Sequence, residues 1–165
     1  MVSKKYILLL IIIFNFYIGC GYYSFKGLLP SSIKNVAIPL FDDRTAYPGV
    51  REDLTNKVID EFISDNSLRV TDESDADIII SGSINSITQR AAVLTKGETV
   101  EKYQIFVNVK AKCEDIKNNK ILWEKSFNEF GDMEGAGSQD ERDQAIADAI
   151  EKITENIINN TLAYW

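Results

Sequence analysis

The chain has 165 residues and no histidine, and proline and cysteine are rare, at three and two residues. Histidine is the commonest general base of enzymes and the commonest side chain that binds metals. The chain therefore lacks the side chain most often used for either purpose, and no serine stands in the motif of a nucleophile elbow. We predict that the protein is not an enzyme and that it needs neither a cofactor nor a metal ion.

Positive charge is also scarce. Lys and Arg number 18 against 25 Asp and Glu, so the formal net charge is −7. Without residues 1–19, which carry two lysines and no acid, it becomes (18 − 2) − 25 = −9. Such a surface argues against nucleic acid as a partner, because nucleic acid binding depends on clustered Lys and Arg. It also argues against simple electrostatic docking on anionic lipid.

The N-terminal region has one short apolar run, over residues 6–18, preceded by two lysines. This run is shorter than the roughly 20 residues of a membrane-spanning helix, and the pattern is typical of a signal peptide over residues 1–19. Gly19-Cys20 follows, which resembles the lipobox of bacterial lipoproteins. The resemblance implies that Cys20 carries the lipid, palmitate included, although Tyr17 stands where lipoboxes usually have Leu. The alternative is a plain secretory signal with an incidental cysteine.

With Cys20 acylated, Cys113 has no partner for an internal disulfide. It lies in an alternating apolar run, which indicates a buried structural thiol. Residues 20–32 are predicted to form a lipidated tether, whose aromatic side chains pack either on the domain or at the membrane interface. Residues 33–165 are long enough for a single domain with a core of its own.

Hydrophobic periodicity predicts the element order β-α-β-β-β-α. The predicted elements are strands over 35–41, 78–89, 103–113 and 121–127, with helices over 50–64 and from a capping box at Ser138 to about Thr161. Pro39 cannot donate a ladder hydrogen bond, so the first strand is either at an edge or ending there. The strands are apolar on one face only. We therefore predict an α/β (α+β) two-layer sandwich, with two helices packed on one face of a four-stranded mixed sheet.

Three polar segments between these elements offer candidate chemistry. Asp42-Asp43-Arg44 is interpreted as turn-capping side chains. The acidic run over 72–77 lacks the spacing and the glycine of a calcium loop, so it is interpreted as a solvated turn. Residues 131–137 are rich in glycine and precede a helix, but their acidic side chains would repel an anion. We interpret them as a flexible loop.

Several motifs, in order, resemble those of one family. They are Cys20-Gly21-Tyr22-Tyr23-Ser24-Phe25, Val36 to Phe41, Ala76 to Ile84, Asn118 to Glu124 and Trp165. Together they resemble LptE, the lipopolysaccharide-assembly lipoprotein, in its Bacteroidetes-like form. The resemblance implies a protein anchored by acyl chains in the outer membrane on its periplasmic side. It also implies that the protein plugs an LptD-like β-barrel in a one-to-one complex, and that this complex inserts lipopolysaccharide into the outer leaflet.

 The role implied for the chain in that complex is to assist assembly of the barrel and to take part in lipopolysaccharide transport.

Members of this family are thought to contact lipopolysaccharide through basic residues, because lipid A phosphates bind Lys and Arg. Arg90 and Lys96, on the loop predicted between the second and third strands, are the first candidates. Lys110 and Lys112, on the polar face of the third strand, are the second. All four also fit ordinary solvated charges. A rival function remains open, since Val36 to Arg44 also resembles periplasmic accessory lipoproteins that regulate a cell-wall synthase or a secretion complex.

Overall fold

The computed structural model describes residues 32–45, 47–93, 102–134 and 137–163, so Cys20, the tether up to residue 31 and Lys96 lie outside the described residues. The strands are β1 (Asn35–Ala37), β2 (Asp42–Asp43), β3 (Arg69–Val70), β4 (Ile78–Val93), β5 (Lys102–Asp115) and β6 (Lys120–Glu134). The helices are α1 (Val50–Asp65) and α2 (Gln139–Ala163), and a short 3-10 turn spans Glu73–Asp75.

The strands form one mixed sheet in the order β3-β1-β4-β5-β6, with β2 paired to β4 off this path. β1 runs parallel to both β3 and β4, whereas β4, β5 and β6 form an antiparallel meander. A bulge in β4 lies between Ile84 and Ser86, where one extra residue enters the ladder. The three long strands therefore supply most of the sheet, and the short parallel strands complete one side of it.

Both helices cover the same face of the sheet, as the one-sided strands predict. Side chains of β5 alternate, and the inward ones, from Ile105 to Cys113, are almost fully buried. α1 places Leu54, Val58 and Phe62 in this core. The predicted fold class is confirmed.

The two helices begin in different ways. At α2 the predicted capping box is present, because the Ser138 amide donates to Glu141 Oε2 at 2.7 Å and the Glu141 amide donates to Ser138 Oγ at 3.3 Å. α1 has no side-chain cap and starts after Gly49, whose φ of 81° is left-handed. Ile63 of α1 is apolar but 60% exposed, so it lies outside the buried face of this helix.

The sheet has more strands than the four predicted, because β2 and β3 are only two residues long and carry no periodic signal. Asp42 and Asp43, interpreted as turn residues, pair in parallel with β4. Asp43 still caps locally, since its Oδ1 accepts the Thr45 amide and hydroxyl, each at 2.7 Å. β1 ends before Pro39, so the proline marks the end of a strand and not an edge.

The prediction of a flexible loop from residue 131 was wrong for its first four residues, because β6 continues to Glu134. Gly131 explains the error. A Cβ at this position would lie 2.0 Å from the carbonyl oxygen of Ala145. The backbones of β6 and α2 can therefore approach this closely only because residue 131 has no side chain. The glycine marks close packing of backbone on backbone, not a turn.

Cys113 is fully buried, as predicted. Burial raises the pKa of its thiol to about 12, and the nearby charges of Asp115 and Glu114 add to the effect. Within the described part of the chain, neither helix is long and apolar enough to cross a bilayer.

Candidate functional site

The face of the sheet opposite the helices is polar, and no described helix packs on it. We call it the open face. Its side chains come from alternate positions of the three long strands, and they include Ser81, Ser83, Asn85, Thr88 and Arg90 of β4, Gln104, Phe106, Asn108, Lys110 and Lys112 of β5, and Glu124, Ser126, Asn128, Phe130 and Asp132 of β6. Most of these side chains are half-buried or exposed.

Hydrogen bonds between strands hold part of this polar surface in place. Asn85 Nδ2 donates to Asn108 Oδ1 at 3.2 Å, and Gln104 Nε2 donates to Asp132 Oδ1 at 2.9 Å. The bulge in β4 brings Asn85 to the open face beside Ser86, so the polar pattern continues across the irregularity. The open face is therefore an ordered surface on a rigid element, a setting that favours ligand or partner contacts.

Arg90 lies in β4, so its predicted position on a loop was wrong. The strand continues to Val93, because its pairing with β5 extends to Lys102. The Arg90 guanidinium lies 4.6 Å from the centre of the Phe106 ring. No ion pair joins Arg90 to a carboxylate among the described residues.

Phe106 packs against a second aromatic ring, Phe130, and a second cation lies beside that ring. The rings of Phe106 and Phe130 are 5.3 Å apart between centroids and tilted by 42°. Lys152 reaches from α2 to the β6 edge, where its Nζ lies 4.7 Å from the centre of the Phe130 ring and donates to the Phe130 carbonyl at 2.7 Å. We call Arg90, Phe106, Phe130 and Lys152 the cation–aromatic row. Each cation–ring contact contributes roughly 0.5 to 1 kcal/mol at an exposed site.

Lys110 and Lys112 lie on the open face, as predicted, but each has a carboxylate partner. Lys110 Nζ is 2.5 Å from Glu124 Oε1, and Lys112 Nζ is 2.7 Å from Glu114 Oε2. The hydrogen bond from Lys110 lowers the pKa of Glu124, which keeps that carboxylate charged. A phosphate that approached either lysine would have to compete with its carboxylate partner.

Two members of the row were not found from the sequence. Phe130 falls beyond residue 127, where the fourth strand was predicted to end, and Lys152 lies on a helix predicted only to pack on the sheet. A signal for Phe130 was available, because it continues the even-numbered alternation of Glu124, Ser126 and Asn128. Nothing in the sequence connects Lys152 with Phe130.

Metal binding finds no support in the described residues, which contain no group of three or more Cys, Asp or Glu side chains placed to hold an ion. The acidic run over 72–77 does contain a turn, at Glu73–Asp75. Asp77, at the end of that run, is buried and has a structural role. Its Oδ2 accepts the amides of Lys34 and Asn35 at 2.9 and 3.0 Å, and its Oδ1 accepts Lys117 Nζ at 2.5 Å.

The fold has counterparts among solved structures. The protein CT253 of Chlamydia trachomatis superimposes with a TM-score of 0.62 at 12% identity, over 81% of this chain and 98% of that one. XCC0632 of Xanthomonas campestris superimposes with a TM-score of 0.59 at 11% identity, over 82% of this chain and 90% of that one. Lipoprotein B of Nitrosomonas europaea superimposes with a TM-score of 0.54 at 16% identity, over 80% of this chain and 84% of that one. These likenesses show the shared fold. No curated protein sequence matches the chain.

The fold and the open face define a small two-layer α+β domain with one sheet face left free by its helices. A family model described as LptE, lipopolysaccharide-assembly, matches residues 33–161, which is nearly the whole described region. The chain therefore belongs to the LptE family of lipopolysaccharide-assembly lipoproteins, which is a non-enzymatic family.

Proposed function

We propose that this protein is a lipid-anchored subunit of the outer membrane that occupies the lumen of an LptD-like β-barrel, one copy to each barrel. There it assists assembly of the barrel and takes part in transport of lipopolysaccharide to the outer leaflet. The observation that carries the proposal is the family match over residues 33–161. The lipoprotein of Nitrosomonas europaea with the same fold agrees with it.

The anchor in this proposal is the acylated Cys20, on the periplasmic side of the membrane. Two or more acyl chains are needed for stable membrane attachment, and a lipoprotein cysteine supplies them. With Cys20→Ala, palmitate labelling and sedimentation with membranes should both disappear. A variant that still labels and sediments would show that Cys20 is not the anchor.

Lipopolysaccharide combines phosphates with apolar chains, and the cation–aromatic row offers both kinds of contact. Arg90 and Lys152 present positive charge at the two ends, and the Phe106 and Phe130 rings lie between them. Lys96, which in the sequence follows the end of β4 by three residues and precedes the start of β5 by six, is included in the proposal as a further phosphate contact. Lys110 and Lys112 contribute less, because each already faces a carboxylate.

Arg90→Glu tests this assignment. A charge-assisted hydrogen bond contributes about 1.5 to 3 kcal/mol, so binding of purified lipopolysaccharide at low salt should weaken roughly 10-fold or more. Arg69→Glu is the matched control, because Arg69 is an exposed arginine on β3, at the far edge of the sheet. Equal affinities of Arg90→Glu and Arg69→Glu would reject the cation–aromatic row as the lipid A contact.

The barrel role is tested by affinity purification of the tagged chain from the native envelope, with mass spectrometry of what is recovered. We expect a large outer-membrane β-barrel in amounts close to one per chain. Recovery of a peptidoglycan synthase or a secretion complex instead would support the rival role as a periplasmic accessory lipoprotein.

A further inference from the structure

The outer surfaces of α1 and α2 enclose a groove that the functions described so far do not use. Its volume is about 460 Å³. The floor is apolar and consists of Val50, Ile146 and Ile150, which are at most 4% exposed. We call this feature the helix groove. It lies on the opposite side of the domain from the open face, because both helices separate it from the sheet.

The rim of the helix groove is mainly acidic. Asp53 and Asp60 of α1 and Asp143 of α2 contribute three carboxylates, against the single cation of Lys57. Asp53, Asp60 and Lys57 are all exposed. A groove with an apolar floor and an excess of negative charge at its rim is complementary to a cationic segment that also carries an apolar side chain.

One end of the helix groove is fixed by hydrogen bonds. Tyr47 Oη donates to Asp143 Oδ1 at 2.5 Å, and Gln139 Nε2 donates to both Tyr47 Oη and Asp143 Oδ1 at 2.8 Å. Burial, followed by the bond to Asp143, raises the pKa of Tyr47, so the phenol keeps its proton. These hydrogen bonds connect the loop before α1 to the first turns of α2. They fix the positions of Tyr47, Gln139 and Asp143 relative to one another at this end of the groove.

The groove is open because the α2 side chain that lines it at position 147 is small. Ala147 contributes only a methyl group to the lining, and Ala147 is exposed. A larger side chain at this position would fill the space without disturbing the core, since Ala147 faces away from the sheet. The chain thus offers a way to block the groove and leave the fold unchanged.

We propose that the helix groove docks a cationic segment of the barrel partner, with a Lys or Arg against the acidic rim and an apolar side chain on Ile146 and Ile150. This inference rests on the proposed function, and it names the surface and the chemistry of the contact. The net charge is −7 for the full sequence and −9 without residues 1–19, and this negative charge favours approach of such a segment from a distance.

The first test measures binding of the full, lipidated chain to the co-purified barrel in detergent. The variants are Ala147→Phe, which fills the groove, and Asp53→Asn combined with Asp60→Asn, which neutralises its rim. We expect each to weaken binding about 10-fold at low salt, and the double variant to show a flatter dependence on salt.

Matched controls lie on the same helices but outside the groove. Glu61→Gln combined with Asp65→Asn removes two exposed charges of α1, and Asn159→Phe adds a ring on an exposed position of α2. Both should bind as the unaltered chain does. Circular dichroism and thermal unfolding of every variant establish that each is folded before binding is compared.

The second test places a photo-crosslinking amino acid at Ala147 and identifies the captured segment by mass spectrometry. A segment of the barrel that carries Lys or Arg would support the inference. Capture of residues 21–31 of the same chain, of a second copy, or of an acidic barrel segment would overturn it. Equal binding by all groove variants would also overturn it while leaving the proposed function intact. An unaltered chain that recovers no barrel would overturn both.

Discussion

Replacing Asp77 by Asn should destabilise the protein in a way that depends on pH. Asp77 is 6% exposed and joins three parts of the chain. It accepts the amides of Lys34 and Asn35 at the entry to β1, and it accepts Lys117 from the turn between β5 and β6. Asn has nearly the same volume, but it carries no charge. An amide cannot satisfy the two backbone donors and the ammonium group together as well as a carboxylate does.

The size of the effect follows from the pKa of Asp77, which falls from 3.8 to about 2. The hydrogen bond from Lys117 is the largest cause, followed by the amides of Lys34 and Asn35. Each step of one in pKa corresponds to about 1.4 kcal/mol, so the ionised carboxylate contributes about 2 to 3 kcal/mol to the free energy of unfolding. Because the pKa is lower in the folded state, this contribution is complete above about pH 5. It is lost as the pH falls through 3.8 towards 2, and roughly half remains at pH 3.

Urea unfolding from pH 7 to pH 2.5, followed by circular dichroism, measures this difference for the unaltered chain and for Asp77→Asn. Glu73→Gln is the control, because Glu73 is an exposed acid in the turn just before Asp77. The free energies of the unaltered and Asp77→Asn chains should converge at low pH. A difference below about 0.5 kcal/mol at pH 7, or one that stays constant down to pH 2.5, would refute the reasoning.

Four further outcomes can be measured on the same protein. Gly131→Ala should cost about 2 to 4 kcal/mol in urea unfolding, because its Cβ would overlap the α2 backbone. Gly49→Ala meets open space and should cost only about 1 kcal/mol for its left-handed φ, so equal losses at the two glycines would contradict the packing argument. Ser138→Ala should cost about 1 kcal/mol through loss of the helix cap, and an unchanged unfolding midpoint would show that the cap contributes nothing. In a chain carrying Cys20→Ser, Cys113 should resist a thiol reagent at pH 8 until urea unfolds the protein, and rapid labelling of the folded chain would show that the thiol is accessible.

The fold class could be predicted because its main elements carry strong periodic signals. The alternation in β5 and the apolar stripe of α2 indicate which faces are buried, and the structure confirms both. β2 and β3 could not be predicted, since two residues are too few for any period and their pairing depends on where β4 lies. Gly131 misled the prediction for a different reason. A glycine required by close packing has the same appearance in a sequence as a glycine required by a turn.

The candidate site was predicted only in part. Arg90 was identified as a candidate from its charge, whereas its contact with Phe106 depends on the register between β4 and β5. That register includes a bulge, which a sequence pattern does not reveal. Lys152 is brought to Phe130 by the packing of α2 along the edge of the sheet, a tertiary relationship between residues 22 positions apart. The residue types that favour anion binding are readable from a sequence, but their arrangement into one surface is not.

The parallel pairing of β1 has a mechanical consequence. β1 is held between β3 and β4, and the chain enters it from the N-terminal side. Tension applied to the residues before Ser32 therefore acts along the strand, and it loads the ladder hydrogen bonds on both sides in shear, all at once. A hairpin pulled open from its end would instead lose its bonds one after another. Asp77 accepts hydrogen bonds from the amides of Lys34 and Asn35, at the N-terminal end of β1 where the force is applied. These bonds add to the resistance of the domain to unfolding from that end.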